Sequence, residues 1–518
     1  MTKKRKSNNP LADARKSQSF YENLWNKKSG LGYTLFVQYY GQQPAGVVVD
    51  SNVVVVAAGR NTKSVAAAAP QGQSRAAKRR RKKNGAASAA ATSDKPEEEE
   101  STPPTEEANN RSRLLAQLDK NPAYTHLEPF LTALSKPLPL TFRLRNLEHC
   151  STEGNKEDQE LLKNELATLS DIVAPVPYDS QIYQALDSSL HKSALSRTSP
   201  HLKELLVLGS SNGLLARQEL GSMLPIVGLY RGKHLRKNHR VLDTCASPGS
   251  KTLQALEVVG IKGRVLANDI HPKRLETLKE AVSRSGVDHL DRLVFMNHDA
   301  SKYPLPKTIA PHVVVTDVPC SGDGTIRKDH TVLPTWSPAT ARALHELQVR
   351  ILVRSLQLVR VGGVVSYSTC SLNPMENESV VQAALLMINN NSNKKESTTT
   401  TPPPPVELME WPQLEGLTLR KGVVDWKVLD YADKEDGDGV EWVEYDSYEN
   451  AQAAKMKHCY PTLWPASNAA SLNLHHCRRL WPQDQDTGGF FVALFRKTAD
   501  FSIQKQQQQQ KKKKTITE

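Results

Sequence analysis

The strongest constraint on the fold is an alternation that begins at Arg240. Short apolar runs end abruptly at polar, turn-forming residues and are separated by segments of helical period. In order they are VLDTC (Val241 to Cys245), a helical Leu253 to Val259, VLANDI (Val265 to Ile270), a helix from Pro272 to about Ser285, LVFMN (Leu293 to Asn297), VVVTDVPC (Val313 to Cys320), a helix of roughly Pro338 to Arg360, and VVSYSTC (Val364 to Cys370). Runs this apolar read as strands covered on both faces, and strands alternating with helices predict a doubly wound, parallel α/β sheet with right-handed crossovers. Such a sheet presents reactive groups at the carboxyl ends of its strands. Two of those ends carry thiols, Cys320 and Cys370, and a single βαβ unit between them would set both on one rim.

The rest of the chain divides around this block. Residues 1–110 alternate basic, alanine-rich and acidic segments, including KRRRKK at Lys78 to Lys83 and EEEE at Glu97 to Glu100, and are expected to be largely disordered. Within them Phe20 to Gly41, with Trp25 and GYTLFVQYYG, is unusually apolar; it either docks on the body or forms a short local element. Residues 111–218 read as a smaller α+β region. Its strand-like TFRLR (Thr141 to Arg145) places Arg143 and Arg145 on one strand face, which is either a phosphate-reading surface or an ordinary exposed face. RQELGSMLPIVG (Arg217 to Gly228) reads as a helix and turn leading into the main domain, 219–498. Asn389 to Pro405 is expected to be a disordered surface insertion, WKVLD (Trp426 to Asp430), EWVEY (Glu441 to Tyr445) and TGGFFVALFRK (Thr487 to Lys497) to be closing strands, and 499–518 a disordered Gln/Lys tail.

A formal charge of +13 over 518 residues favours a polyanionic partner, because lysines and arginines that neutralise phosphates supply affinity independent of sequence. Six cysteines with no CxxC and no zinc spacing point to a reducing compartment and to no metal. The valine-rich Gly46 to Ala58 is broken by Asp50 and too short to span a bilayer, so no membrane is expected. The basic runs Lys3 to Lys6 and Lys78 to Lys83 suggest a nuclear or nucleolar address, with the cytoplasm as the other compartment. A monomer is expected.

Between the first strand and its helix lies DTCASPGSK, Asp243 to Lys251, where small residues let the backbone approach a ligand and a helix N-terminus offers free amides. It is neither GxGxxG nor a P-loop. Asp269 ends the next strand, where a carboxylate can accept from ribose hydroxyls, and Asp299 follows the third, placed for an exocyclic amine. A lone acid there is more often a helix cap, but three in succession favour a nucleoside-bearing cofactor.

At the fourth strand end, Asp317, Pro319 and Cys320 stand where a methyltransferase acting on an exocyclic amine would carry an aromatic ring. A thiol suits a carbon that is not itself nucleophilic, such as C5 of cytosine. Thiolate addition at C6 makes an enamine whose C5 can attack a methyl sulfonium, and the thiolate must leave afterwards. One cysteine can attack and the other assist elimination, while Asp317 hydrogen-bonds or protonates N3. The bland alternative is two buried small hydrophobes.

CASPGSKT, NDIHPKR, NHDAS, DVPCSGDGT and YSTCSLNP, in this order, resemble the motif series of the Nol/Nop/Sun-domain RNA cytosine-5 methyltransferases over roughly Leu114 to Lys497. RQELGSMLP, PTLWP at Pro461 and TGGFFVA resemble most closely the eukaryotic multisite tRNA branch. The resemblance implies a Rossmann-like S-adenosyl-L-methionine-dependent methyltransferase domain with an N-terminal RNA-binding region, forming 5-methylcytosine in RNA, most often tRNA. It implies Cys370 as nucleophile and Cys320 as release cysteine. The cofactor site would comprise Cys245, Ala246, Ser247, Pro248, Gly249, Ser250 and Lys251 with Asp269, Asp299 and Asp317. Ser247 stands where the family usually has alanine. The alternatives are a ribosomal RNA methyltransferase and assembly factor, a DNA cytosine-5 methyltransferase with Cys320 as nucleophile, and an RNA-binding scaffold.

Overall fold

A computed structural model describes residues 31–44, 126–147, 154–285, 291–306, 309–392, 403–433 and 440–502. Both basic runs, the Gln/Lys tail beyond 502 and most of the expected 389–405 insertion lie outside the described residues. The first described element is a helix, α1 (Leu31–Gln42), so the head is not uniformly without structure. Leu35, Phe36, Val37, Tyr39 and Tyr40 are each at most 2% exposed. Burying a side chain of this size contributes about 1.5–3 kcal/mol, which is why a piece this apolar docks on the body.

The 126–217 portion holds α2 (Glu128–Ser135), α3 (Gly154–Ala167) and α4 (Pro200–Ser211) with an antiparallel sheet of β1 (Thr141–Leu144), β2 (Val173–Val176), β3 (Asp179–Ala185) and β4 (Leu215–Arg217), ordered β2-β3-β1-β4. The arginine pair on β1 corrects the expectation of a solvent-facing phosphate reader. Arg143 and Arg145 are each 4% exposed and both grip Glu257 of the main domain. Arg143 also reaches Glu257 Oε1 with Nη2 at 3.1 Å, and Arg145 Nη1 reaches the same oxygen at 2.8 Å. Strand alternation put the two on one face correctly; the acid opposite them decided that the face is inside.

In the main domain α5 (Leu220–Arg231) leads into β5 (Arg240–Asp243), α6 (Ser250–Val259), β6 (Arg264–Asn268), α7 (Pro272–Ser283), β7 (Leu293–Met296), β8 (Val313–Asp317), α8 (Pro338–Leu358), β9 (Val364–Thr369) and α9 (Glu378–Ser392). α8 begins where Ser337 accepts from the Ala339 N–H with Pro338 in the first turn, and it ends before Gly362 and Gly363. Closing strands β10 (Val406–Met409), β11 (Arg420–Lys421), β14 (Arg478–Leu480) and β15 (Phe490–Lys497) complete a sheet ordered β11-β14-β15-β9-β8-β5-β6-β7, with β10 also pairing β15. Strands β5 to β9 are parallel and β15 runs antiparallel to β9.

Alternate residues of these strands feed two cores. Val241, Val313, Val315 and Val364 pack with α5 to α7, whereas Leu242, Val314, Val365 and Tyr367 pack with α1, α8 and α9. Both faces are therefore covered, as the continuous apolar runs required. Residues near Trp426–Asp430 and Glu441–Tyr445 depart from expectation. Strands β12 (Leu429–Asp433) and β13 (Val440–Glu444) pair with each other in a separate hairpin rather than extending the main sheet. Their alternating pattern suits a two-stranded ribbon as well as a sheet edge, and local sequence does not choose the partner.

Candidate active site

The chain runs β5-β6-β7 to one side and then returns to lay β8 and β9 on the other, so the strand order reverses between β5 and β8. That crevice is where an open α/β sheet binds its ligands. A cavity of about 300 Å³ opens there. Asp243, Cys245, Ala246, Ser247, Pro248, Ser250 and Lys251 line it from the β5–α6 side, and Asp317 and Cys370 from the β8 and β9 ends. Leu138, Arg217, Lys328 and Phe490 form further walls. A second cavity of similar size, between β1 and α6, holds neither cysteine.

The two thiols meet. Cys320 Sγ and Cys370 Sγ lie 3.3 Å apart, hydrogen-bond distance for sulfur, because β8 and β9 are parallel neighbours that pair Asp317 with Ser368. The hydrogen bond to Cys370, then burial, raises the Cys320 thiol well above its usual range.

Beneath them, Lys251 Nζ donates to Asp317 Oδ2 at 2.7 Å and to Ser222 Oγ at 2.9 Å, and the Ser368 hydroxyl donates to Asp317 Oδ1 at 2.7 Å. Burial alone would lower the Lys251 ammonium, but the Asp317 carboxylate outweighs it and holds the amine above its usual value. The site therefore presents an ammonium–carboxylate pair against two sulfurs. Charge-assisted pairs of this kind, in a half-closed cavity, are strongly oriented.

The loops that carry the thiols are locked together. Gly324 N–H donates to the Cys370 carbonyl at 2.9 Å and Gly489 N–H to the Gly324 carbonyl at 2.7 Å. A Cβ on Gly324 would come within 2.3 Å of the Gly489 carbonyl, so this approach admits only glycine. Asp323 accepts from the Leu372 N–H at 2.7 Å, and Glu376 accepts from the Ser321 N–H at 2.8 Å and the Ser371 hydroxyl at 2.6 Å. Asp323 and Glu376 were not singled out by sequence reasoning. Asp323 sits inside the DVPCSGDGT motif, but Glu376 carries no signal beyond lying just past YSTCSLNP. Arg327 was also missed; it joins the Lys136 and Pro137 carbonyls to the Thr487 carbonyl and so fixes the N-terminal portion against the site.

The β5–α6 side of the cavity brings together part of the residues expected there, with differences among them. Asp243 is buried, its Oδ2 takes the Thr252 hydroxyl at 2.7 Å, and its Oδ1 has no hydrogen-bond partner among the described residues. Burial pushes this carboxyl up to about 7, against the pull of Thr252. Gly249 adopts φ 113°, and a Cβ there would lie 2.6 Å from Leu278, so the turn into α6 needs glycine. The Ser247 hydroxyl donates to the Arg274 carbonyl at 2.9 Å, which accommodates the change from alanine. Burial pushes the Cys245 thiol up.

Asp269 and Asp299 end β6 and β7 on the same rim but outside the cavity lining. Asp269 accepts from the His271 N–H at 3.0 Å and pairs with Arg274 at 3.2 Å. Asp299 caps the turn Ala300–Lys302; burial would raise it, but bonds from Ser301 and Lys302 hold it below the usual range.

These parts fit S-adenosyl-L-methionine. A buried carboxylate oxygen without a donor adjoins the cavity, and small residues from Ala246 to Ser250 line the backbone approach. Among the described residues no cluster of metal-ligating side chains occurs and no helix is long and apolar enough to cross a membrane.

A doubly wound sheet with a nucleoside-type crevice and paired strand-end cysteines defines a Rossmann-like methyltransferase of the two-cysteine type. The model of the family described as 16S rRNA methyltransferase RsmB/F matches residues 233–408. Residues 233–408 thus carry the domain of this RsmB/F, or Sun-domain, methyltransferase family. It is 33% identical over 418 residues to the multisite-specific tRNA:(cytosine-C(5))-methyltransferase trm4b of Schizosaccharomyces pombe, covering 72% of this chain and 56% of that protein. It is 32% identical over 400 residues to the multisite-specific tRNA:(cytosine-C(5))-methyltransferase of Saccharomyces cerevisiae, covering 72% of this chain and 53% of that one. With the tRNA (cytosine(34)-C(5))-methyltransferase of Drosophila melanogaster it shares 30% identity over 408 residues, 73% of this chain and 51% of that one. The chain spans about half the length of these relatives.

Proposed function

We propose that this protein transfers a methyl group to C5 of cytosine in RNA, with tRNA as the substrate class. The observation that carries the reading is the 3.3 Å approach of Cys320 to Cys370, which lines a cavity that also holds the Lys251–Asp317 pair. Residues 245–251 with Asp243 would hold S-adenosyl-L-methionine, and Asp269 and Asp299 stand on the same rim toward its nucleoside end. When bound there, that cofactor supplies an electrophilic methyl on a sulfonium.

Cys370 adds as thiolate to C6 of the cytosine, which makes C5 nucleophilic. Asp317 meets the N3 and amino edge of the ring, and the Lys251 ammonium balances the negative charge that develops there. Preorganised groups of this kind are worth roughly 10² to 10³ in rate. Once C5 is methylated its proton passes to a base, the C5–C6 double bond re-forms and Cys370 leaves C6 as a thiolate. Cys320, 3.3 Å from the departing sulfur, assists that elimination. Flipping a cytosine into the cavity requires an unstacked base, which single-stranded RNA presents at least cost. Three relatives named for tRNA cytosine methylation support tRNA over ribosomal RNA. A nuclear address remains part of this proposal, on the two basic runs alone.

The test is incubation of the full chain with S-adenosyl-L-methionine and separate unmodified tRNA and ribosomal RNA pools, with 5-methylcytidine read by mass spectrometry. Product in tRNA supports the reading. Product in ribosomal RNA alone overturns the substrate, and 5-methylcytidine in neither overturns the activity.

A further inference from the structure

Helix α1 is far from the catalytic sheet in sequence, yet it places one hydroxyl on each cysteine loop. The Tyr40 hydroxyl donates to Asp323 Oδ2 at 2.7 Å, and the Tyr39 hydroxyl donates to Asn373 Oδ1 at 3.1 Å. Asp323 lies just past Cys320, and Asn373 just past Cys370. With its other oxygen Asp323 takes the Leu372 N–H at 2.7 Å, while the Trp336 indole N–H reaches Oδ2 at 3.1 Å. A single buried carboxylate thus ties the first cysteine loop to the second. Its orientation depends on three donors, one of them from α1.

The apolar docking of α1 does not explain this hydroxyl. Leu35, Phe36 and Val37 are buried without any polar cost, and phenylalanine at position 40 would bury the same ring. A buried phenol is unfavourable unless its hydrogen bond is made, so this one earns its place through Asp323. Burial pushes the Asp323 carboxyl up, and the bonds from Leu372, Tyr40 and Trp336 oppose it. The carboxylate is therefore held in one rotamer by its donors.

We infer that Tyr40 is a positioning residue for the two cysteines: it fixes Asp323 on the Leu372 amide and so sets the separation of the Cys320 and Cys370 sulfurs. The segment before the catalytic domain is then a working part of the active site. This rests on the proposed reading only for the rate it affects, since the geometry has a readout of its own.

The experiment compares the full chain as wild type, Tyr40→Phe and Gln43→Ala. Gln43 anchors the end of α1 through the Lys427 backbone, at 3.1 Å and 3.0 Å, without touching Asp323. Three quantities are read: amide hydrogen exchange across residues 370–377, kcat and KM for RNA methylation, and the melting temperature. Tyr40→Phe is expected to speed exchange at Leu372 and lower kcat, each by about tenfold, with KM within about twofold and Tm within about 3 °C. Gln43→Ala is expected to lower Tm by a few degrees with kcat and Leu372 exchange unchanged. The inference is overturned if Tyr40→Phe leaves either kcat or Leu372 exchange at the wild-type value, or if Gln43→Ala reproduces both losses. Should the wild type methylate no RNA, the functional reading fails and the exchange arm alone decides the positioning.

Discussion

Ser321 and Ser371, the residues immediately after the two cysteines, share one carboxylate. Both hydroxyls donate to Glu376 Oε2, and they lie 3.1 Å from each other. Glu376 is fully buried and also takes the Ser321 N–H and the Gln348 amide. Burial and then the Asp323 charge raise its carboxyl. The two reactive strand ends are thus braced from below as well as joined at the sulfurs. Glu376→Ala strands several buried donors, so a loss of about 3 kcal/mol and of at least tenfold in activity is expected. Glu376→Gln keeps one acceptor oxygen and turns a donor toward the two serine hydroxyls, which can rotate to accept it, so it should cost about 1 kcal/mol with activity largely retained. Urea denaturation and methyl-transfer rates on both variants check this.

Lys251→Met removes the ammonium and leaves Asp317 with Ser368 as its remaining side-chain donor. The expected effect is a fall of roughly 10² to 10³ in the single-turnover rate. The fold should survive, because the methionine stem fills the same buried channel. Far-ultraviolet circular dichroism together with single-turnover kinetics separates the two outcomes.

Asp243 predicts a pH dependence. Its folded pKa of about 7 lies above the usual carboxylate value of 3.8, so the folded state binds the proton more tightly than the unfolded chain. Its contribution to stability is present at low pH and is lost as pH rises from about 4 to about 7, with a size of order 4 kcal/mol as an upper figure. Asp243→Asn should remove that slope and raise the melting temperature at pH 8. Denaturation profiles of the cofactor-free protein at several pH values measure it.

Arg143 and Arg145 meet Glu257 where burial alone would raise its carboxyl; the two guanidiniums outweigh burial and hold it below the usual range. Removing one partner leaves charge uncompensated, so Arg143→Met should destabilise by about 3 kcal/mol. Loss of a phosphate-reading arginine would instead lower RNA affinity and flatten its salt dependence. Filter binding across a salt series, with denaturation of the same variant, distinguishes the roles.

What could be read from the sequence follows physical locality. Strands β5 to β9 announced themselves because strands buried on both faces are continuous apolar runs, and β5, β8 and β9 lead into residues that line the crevice. Cys320 and Cys370 were placed on one rim by parallel neighbourhood alone. The burial of Arg143 depended on an acid in another domain, and pairing of β12 with β13 on a partner that periodicity does not name. Asp323 lay inside a quoted motif, but its role appears only when Tyr40 is brought beside it. The apolar GYTLFVQYYG signalled a contact without saying with what.

The most direct measurement compares wild type, Cys320→Ala and Cys370→Ala, each incubated with S-adenosyl-L-methionine and an unmodified tRNA pool, scoring methyl transfer and protein–RNA adducts that resist denaturation. The account predicts that Cys320→Ala accumulates an adduct because release is blocked, and that Cys370→Ala forms neither adduct nor product. Methyl transfer by Cys370→Ala would contradict it and move the nucleophile to Cys320.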